Sequence, residues 1–161
     1  MEMLAYMVIV AVLLSLLGAC IACILSALRG DFSKALELDP ANSIAFINRG
    51  NCKFFHKDYV GAHEDYTSAL ENDPTNALAY YKRGNIRYDL NDYSGALEDY
   101  TKSIEYNPEF DLSYFNRGVI KHELGNRNDA CIDWKKAGEL GYTRAFEAIN
   151  GNPFLSSTIA R

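Results

Sequence analysis

Between Asn42 and Tyr142 the chain repeats itself every 34 residues, and no other feature restricts its fold as much. Shifted by that interval, Phe46 falls on Tyr80 and Tyr114, and Arg49-Gly50 falls on Arg83-Gly84 and Arg117-Gly118. Ala62 falls on Ala96 and Ala130, and Asp65-Tyr66 on Asp99-Tyr100 and Asp133-Trp134. Pro40, Pro74 and Pro108 mark the joints. A fixed period of this length means one small unit stacked on copies of itself, since a single unit cannot bury its apolar face alone. Three units suffice to close a continuous core.

The order aromatic, Gly, Ala, aromatic, Pro within that period resembles the tetratricopeptide repeat, which has two antiparallel helices per unit. The resemblance covers residues 32 to 142 and implies an all-α solenoid. First helices are expected over Ser43–His56, Ala77–Leu90 and Asp111–Leu124. Second helices are expected over Tyr59–Asn72, Tyr93–Tyr106 and Arg127–Leu140. Asp58, Asp92 and Asn126 stand where a side-chain oxygen caps free N–H groups, and the prolines stand where a helix cannot continue. Gly50, Gly84 and Gly118 each weaken a helix by about 1 kcal/mol, so close helix approach is expected there, answered by Ala62, Ala96 and Ala130. The two aromatic series, Phe46/Tyr80/Tyr114 and Tyr66/Tyr100/Trp134, would fill the space between neighbouring units.

The chain departs from the common pattern at Arg49, Arg83 and Arg117, where an apolar residue is usual, and at Lys53, Arg87 and Lys121, where an aromatic is usual. A buried unpaired charge costs several kcal/mol. Asp65, Asp99 and Asp133 recur with the same period, so an Arg–Asp ladder is expected, fixing register rather than forming a catalytic or anion site. Residues 31–41, with Phe32 to Pro40 matching Tyr66 to Pro74, read as half a repeat, and residues 42–142 as three repeats. Residues 143–161 read as a closing helix over Arg144–Ile149, capped by Thr143, and a tail in which Phe154 and Leu155 could dock on a neighbour.

Ahead of the repeats, residues 1–30 read as an N-terminal transmembrane helix. No charge occurs from Met3 to Leu28; at 1.5 Å per residue this is about 39 Å of helix, more than the roughly 30 Å of a bilayer core. The start carries Glu2 and no Lys or Arg, and the run is too long for a cleaved signal peptide. Gly30-Asp31 is the expected break before the half repeat. Arg29 and Lys34 follow the span and none precedes it, which places the repeats on the cytoplasmic (or stromal) side. Ala11, Ser15, Gly18, Ala22 and Ser26 form a stripe of small side chains, a packing face for other transmembrane helices. Cys20, Cys23, Cys52 and Cys131 read as free thiols, because no loop-rich disulfide framework surrounds them.

The net charge of −5 and a pI near 5.2 exclude a basic nucleic-acid footprint. His56, His63 and His122 fall on different faces or units, and no HExxH or phosphate-cradling loop is present. No enzyme activity, metal or cofactor is expected. The resemblance implies instead a surface that holds other proteins, with the first helices lining it. Residues on that face are Ile47, Asn51 and Phe54, then Tyr81, Asn85 and Tyr88, then Phe115 and His122, a protein-binding groove suited to a peptide or helix. Some members grip a chaperone's acidic C-terminus through set Lys, Asn and Arg positions. Ile47, Asn51, Lys82, Leu112 and Asn116 stand there, and only Asn51 fits. The expected function is a membrane-anchored, single-pass adaptor, scaffold or assembly factor for a membrane complex. The alternative is a structural accessory subunit whose span packs permanently with other helices.

Overall fold

The computed structural model describes residues 30–150 and Ala160. The expected span and its small-residue stripe therefore lie outside the described residues, as do Phe154 and Leu155. Among the described residues no helix is long and apolar enough to cross a membrane.

Eight helices follow one another among the described residues: α1 over 30–38, α2 Ser43–Phe55, α3 Tyr59–Asn72, α4 Ala77–Asp89, α5 Tyr93–Tyr106, α6 Asp111–Glu123, α7 Arg127–Glu139 and α8 Arg144–Ile149. The expected starts of α2–α8 coincide with these, and four ends fall one residue earlier, on the residue that closes the helix. Helix α1 includes Gly30 and Asp31, and its join to the expected span lies outside the described residues.

Two compact units divide within α3, between Asp65 and Tyr66. In the first, Leu36, Ala45, Ile47, Cys52 and Ala62 are buried, and Phe54 sets its ring edge-on to Tyr59 at 5.5 Å. In the second, α4 packs on α5, α5 on α6, α6 on α7 and α7 on α8. Its core has two centres. Tyr81, Ala96, Tyr100 and Ile120 make one; Phe115, Val119, Ala130, Trp134, Ala137, Ala145 and Ala148 make the other.

Capping explains why these helices start where they do. Asn42 and Asn76 accept from the N–H of Ala45 and Ala79, and Asp58 and Asp92 from Gly61 and Gly95. Asn126, expected in the same role, makes no such bond, and α7 starts on backbone geometry alone. The turn inside each repeat closes through one left-handed residue: Lys57 (φ 63°), Asn91 (φ 60°) and Gly125 (φ 84°), each 34 residues from the next. There the N–H of Asp58, Asp92 and Asn126 donates back to the carbonyl of Lys53, Arg87 and Lys121. A side chain in this conformation costs about 1–2 kcal/mol, which Asn tolerates better than Lys. Lys57→Gly is expected to stabilise the protein by about 0.5–1 kcal/mol. A melting temperature unchanged or lowered would show that the turn carries no strain.

The periodic glycines do admit close approach, but to aromatic rings. A Cβ on Gly84 would stand 2.9 Å from Tyr100, and one on Gly118 2.7 Å from Trp134 and 3.2 Å from the Ala130 carbonyl. Tyr66, Tyr100 and Trp134 are buried as expected, whereas Phe46, Tyr80 and Tyr114 are only half-buried. The latter three lie under the guanidinium groups of Arg49, Arg83 and Arg117 at 5.5–5.7 Å, a stacking that keeps them at the surface.

Those arginines form the ladder, inside each repeat. Arg49 forks onto Asp65 at 2.7 and 3.0 Å, Arg83 onto Asp99 at 2.7 and 3.0 Å, and Arg117 onto Asp133 at 2.8 and 2.9 Å. Each aspartate takes a second cation: Lys53 at 2.9 Å, Arg87 at 3.1 Å and Lys121 at 2.7 Å. The hydrogen bond to Asp65 raises Arg49 above its ordinary pKa. Two rungs also reach the preceding repeat, Arg83 to Thr67 at 3.4 Å and Arg117 to Thr101 at 3.3 Å. The ladder thus joins helices within a repeat strongly and repeats to one another weakly.

Candidate peptide-binding cleft

Helix α4 carries Tyr81 and Asn85 one turn apart, and α6 carries Asn116; their side chains converge with that of Tyr100 from α5. All four are buried. The Tyr100 hydroxyl donates to Asn85 Oδ1 at 2.7 Å, and Asn116 Nδ2 donates to the same oxygen at 2.9 Å. This fixes which end of the Asn116 amide faces Asn85, leaving Asn116 Oδ1 as an acceptor aimed elsewhere.

Its donor is the main-chain N–H of Ala160, at 2.6 Å. The Ala160 carbonyl in turn accepts from Asn116 Nδ2 at 2.8 Å and from the Tyr81 hydroxyl at 2.6 Å. One residue's two main-chain groups are therefore paired by a single side-chain amide, with a phenol as a third contact. The Ala160 methyl joins the cluster of Phe115, Trp134, Ala145 and Ala148. Among the described residues, no buried polar side-chain atom lacks a partner. Tyr81, Asn85, Tyr100 and Asn116 are uncharged, so what they recognise is a peptide bond and not a charged group.

The expected groove residues are distributed unevenly. Tyr81 and Asn85 belong to this cleft. Phe115 is 1% exposed, 4.8 Å from the Tyr142 ring, in the cluster that takes the Ala160 methyl. Tyr88 is half-buried at the far end of α4, its hydroxyl donating to Glu123 at 2.7 Å; burial and that carboxylate push its pKa up. His122 lies 5.4 Å from the Trp134 ring. In the first unit Ile47 is buried, while Asn51 and Phe54 are half-buried. Tyr81 is 1% exposed, enclosed by Tyr100, Phe110 and Ala160, so it shows a partner its hydroxyl and little of its ring.

The sequence reading placed Asn116 at a groove position of the family but left it out of the expected binding residues, and it did not single out Ala160. The signal for Asn116 was an uncharged amide between Leu112 and Ile120 on a flank that is otherwise apolar; such a group inside a repeat core needs a bond. Lys82, on the neighbouring flank of α4, lies 5.7 Å from the Tyr81 ring, and burial lowers its pKa. Among the described residues no three His, Cys, Asp or Glu gather as a metal site. His122 packs on a ring, and the ladder carboxylates are saturated with cations. The arrangement binds a main chain.

Residues 66–98 match the family model described as Tetratricopeptide repeat, and residues 84–125 match the one described as TPR repeat. The stretch between Tyr66 and Gly125 thus carries tetratricopeptide repeats. No curated protein sequence matches the chain. Among solved structures, the fold is similar to that of MamA, with a TM-score of 0.69 at 21% identity over 75% of this chain and 72% of that one. It is also similar to the second TPR of Spaghetti (RPAP3) bound to the HSP90 peptide SRMEEVD, with a TM-score of 0.59 at 28% identity over 61% of this chain and 91% of that one. The first TPR of the same protein, bound to the same peptide, has a TM-score of 0.64 at 22% identity over 67% of this chain and 87% of that one.

Proposed function

We propose that the chain is a protein–protein interaction module that holds an extended peptide by its main chain in the cleft between Tyr81 and Asn116. The observation that carries this reading is the paired hydrogen bonding of one residue's N–H and C=O by Asn116. Such pairing is blind to side-chain identity, and the apolar surroundings favour small residues at that point. The peptide-bound neighbours of the same fold support the same mode of use. Their HSP90 peptide is not carried over, because the side chains that bond Ala160 here, Tyr81 and Asn116, are uncharged.

In the fuller reading the apolar run Met3–Leu28 is a single-pass anchor, and the module works as an adaptor or assembly factor beside a membrane complex, repeats on the cytoplasmic or stromal side. A photo-crosslinking residue in place of Tyr88, one turn beyond Asn85 on α4, should yield discrete adducts with other proteins in native membranes. The same residue in place of Ile132, which is 67% exposed on α7, should not. Equal adducts at both places would reject the cleft as the binding face.

The anchor has its own test. The protein should stay in the membrane pellet after alkaline carbonate extraction. Cys131, a free and exposed thiol, should resist a membrane-impermeant maleimide in intact cells or organelles and react once the membrane is opened. Labelling before opening would reverse the orientation, and release by carbonate would remove the span. The rival reading, a permanent structural subunit, predicts a fixed-stoichiometry assembly on size exclusion after detergent extraction.

A further inference from the structure

The cleft already holds a peptide group, and it belongs to this chain. We propose that Ala160 is the resident occupant of the cleft, held in cis, so that an outside peptide binds only by displacing it. This rests on the reading of the cleft as a peptide site.

The contacts at Ala160 are those of a bound ligand. Its N–H and C=O are both paired with Asn116, its carbonyl takes a second donor from Tyr81, and the residue is 9% exposed. The bonded partners stand 44 and 79 residues away in the chain, so no local turn or helix accounts for them. The Ala160 methyl packs in the cluster of Phe115, Trp134, Ala145 and Ala148.

Tethering decides between this chain and a second copy as the source. Nine residues, 151–159, separate Ala160 from the C-cap of α8 at Asn150. A connection of so few residues gives an effective concentration on the order of millimolar. A segment with an intrinsic Kd of about 100 μM would then fill roughly nine-tenths of its own clefts, whereas a second copy at micromolar concentration would fill roughly one in a hundred. The same occupancy weakens an outside peptide about tenfold. Because the groups that bond Ala160 are uncharged, the block should be nearly independent of salt.

The test uses the full chain in detergent and a fluorescein-labelled peptide with the sequence of residues 154–161, read by anisotropy. Ala160→Pro removes the N–H that Asn116 accepts and leaves every residue of the repeats unchanged. The Ala160→Pro chain should bind the probe about tenfold more tightly than the unaltered chain. By NMR, the Ala160 amide of the unaltered chain should exchange about tenfold more slowly than an open one, at every protein concentration. An Ala160 amide that exchanges freely, with equal probe binding by both chains, overturns self-occupancy and leaves the cleft as a peptide site. Protection that fades on dilution makes a second copy the occupant and overturns the cis arrangement. A protected amide with no probe binding by Ala160→Pro makes the contact a fixed part of the fold, and the peptide-site reading falls with the proposal.

Discussion

Asp99→Ala should destabilise the protein by about 3 kcal/mol, because it strands two cations at once. Asp99 is 2% exposed and accepts both Arg83 nitrogens and Arg87 Nη1. Removing one partner of a buried pair costs about 3–5 kcal/mol, and the lower end applies because the two arginine side chains are 14% and 23% exposed and can turn partly to water. For a domain of this size that is a fall in melting temperature of about 10 °C. Lys102 and Glu105 form a pair at 2.8 Å as well, yet both are about half exposed, so Lys102→Ala should leave the melting temperature nearly unchanged. Arg83→Met combined with Asp99→Leu should recover part of the loss, since the penalty comes from the orphaned charge and not from the missing bond. Far-UV circular dichroism melts of the three variants decide it. If Asp99→Ala melted with Lys102→Ala, the ladder would be a surface ornament.

The ladder was legible in the sequence because it is written in the same period as the fold. An arginine where the repeat wants an apolar residue demands a partner, and only the aspartates recur with it. The left-handed turn was written there too, in Gly125, but Lys57 and Asn91 at the equivalent places hide it; a lysine gives no sign that its backbone is twisted. Asn126 shows the reverse error, a residue of the right type whose side chain does not cap. Periodicity places a residue on a face of a helix, and it cannot say what else covers that face. Tyr80 and Tyr114 share the aromatic pattern of the core and are held at the surface by arginines, while Tyr81 and Phe115 share the pattern of a groove and are covered by Tyr100, Phe110, Tyr142 and Ala160. The contact of Ala160 was invisible for a simpler reason. It lies outside the period, and its partners are 44 and 79 residues away.

That covering changes what a groove mutation would do. From the face alone, Tyr81→Ala with Phe115→Ala should abolish partner binding and spare the fold. The structure leads to the opposite expectation: the second unit should unfold or melt without cooperativity. Both rings are 1% exposed, Tyr81 against Phe110 at 4.9 Å and Phe115 against Tyr142 at 4.8 Å. Truncating a buried aromatic costs about 3–5 kcal/mol, and the two together approach the whole stability of about 5–15 kcal/mol that a domain possesses. Each ring also sits in a different one of the two core centres, so neither loss can be absorbed by collapse around the other. Tyr81→Phe separates binding from folding. It keeps the ring and removes only the hydroxyl that donates to the Ala160 carbonyl at 2.6 Å, a bond worth about 1 kcal/mol. The melting temperature should fall by a few degrees at most, while the amide of Ala160 exchanges several-fold faster. A double alanine variant that melts like the unaltered protein would mean that these rings are not core, and the cleft would have to be drawn again around them.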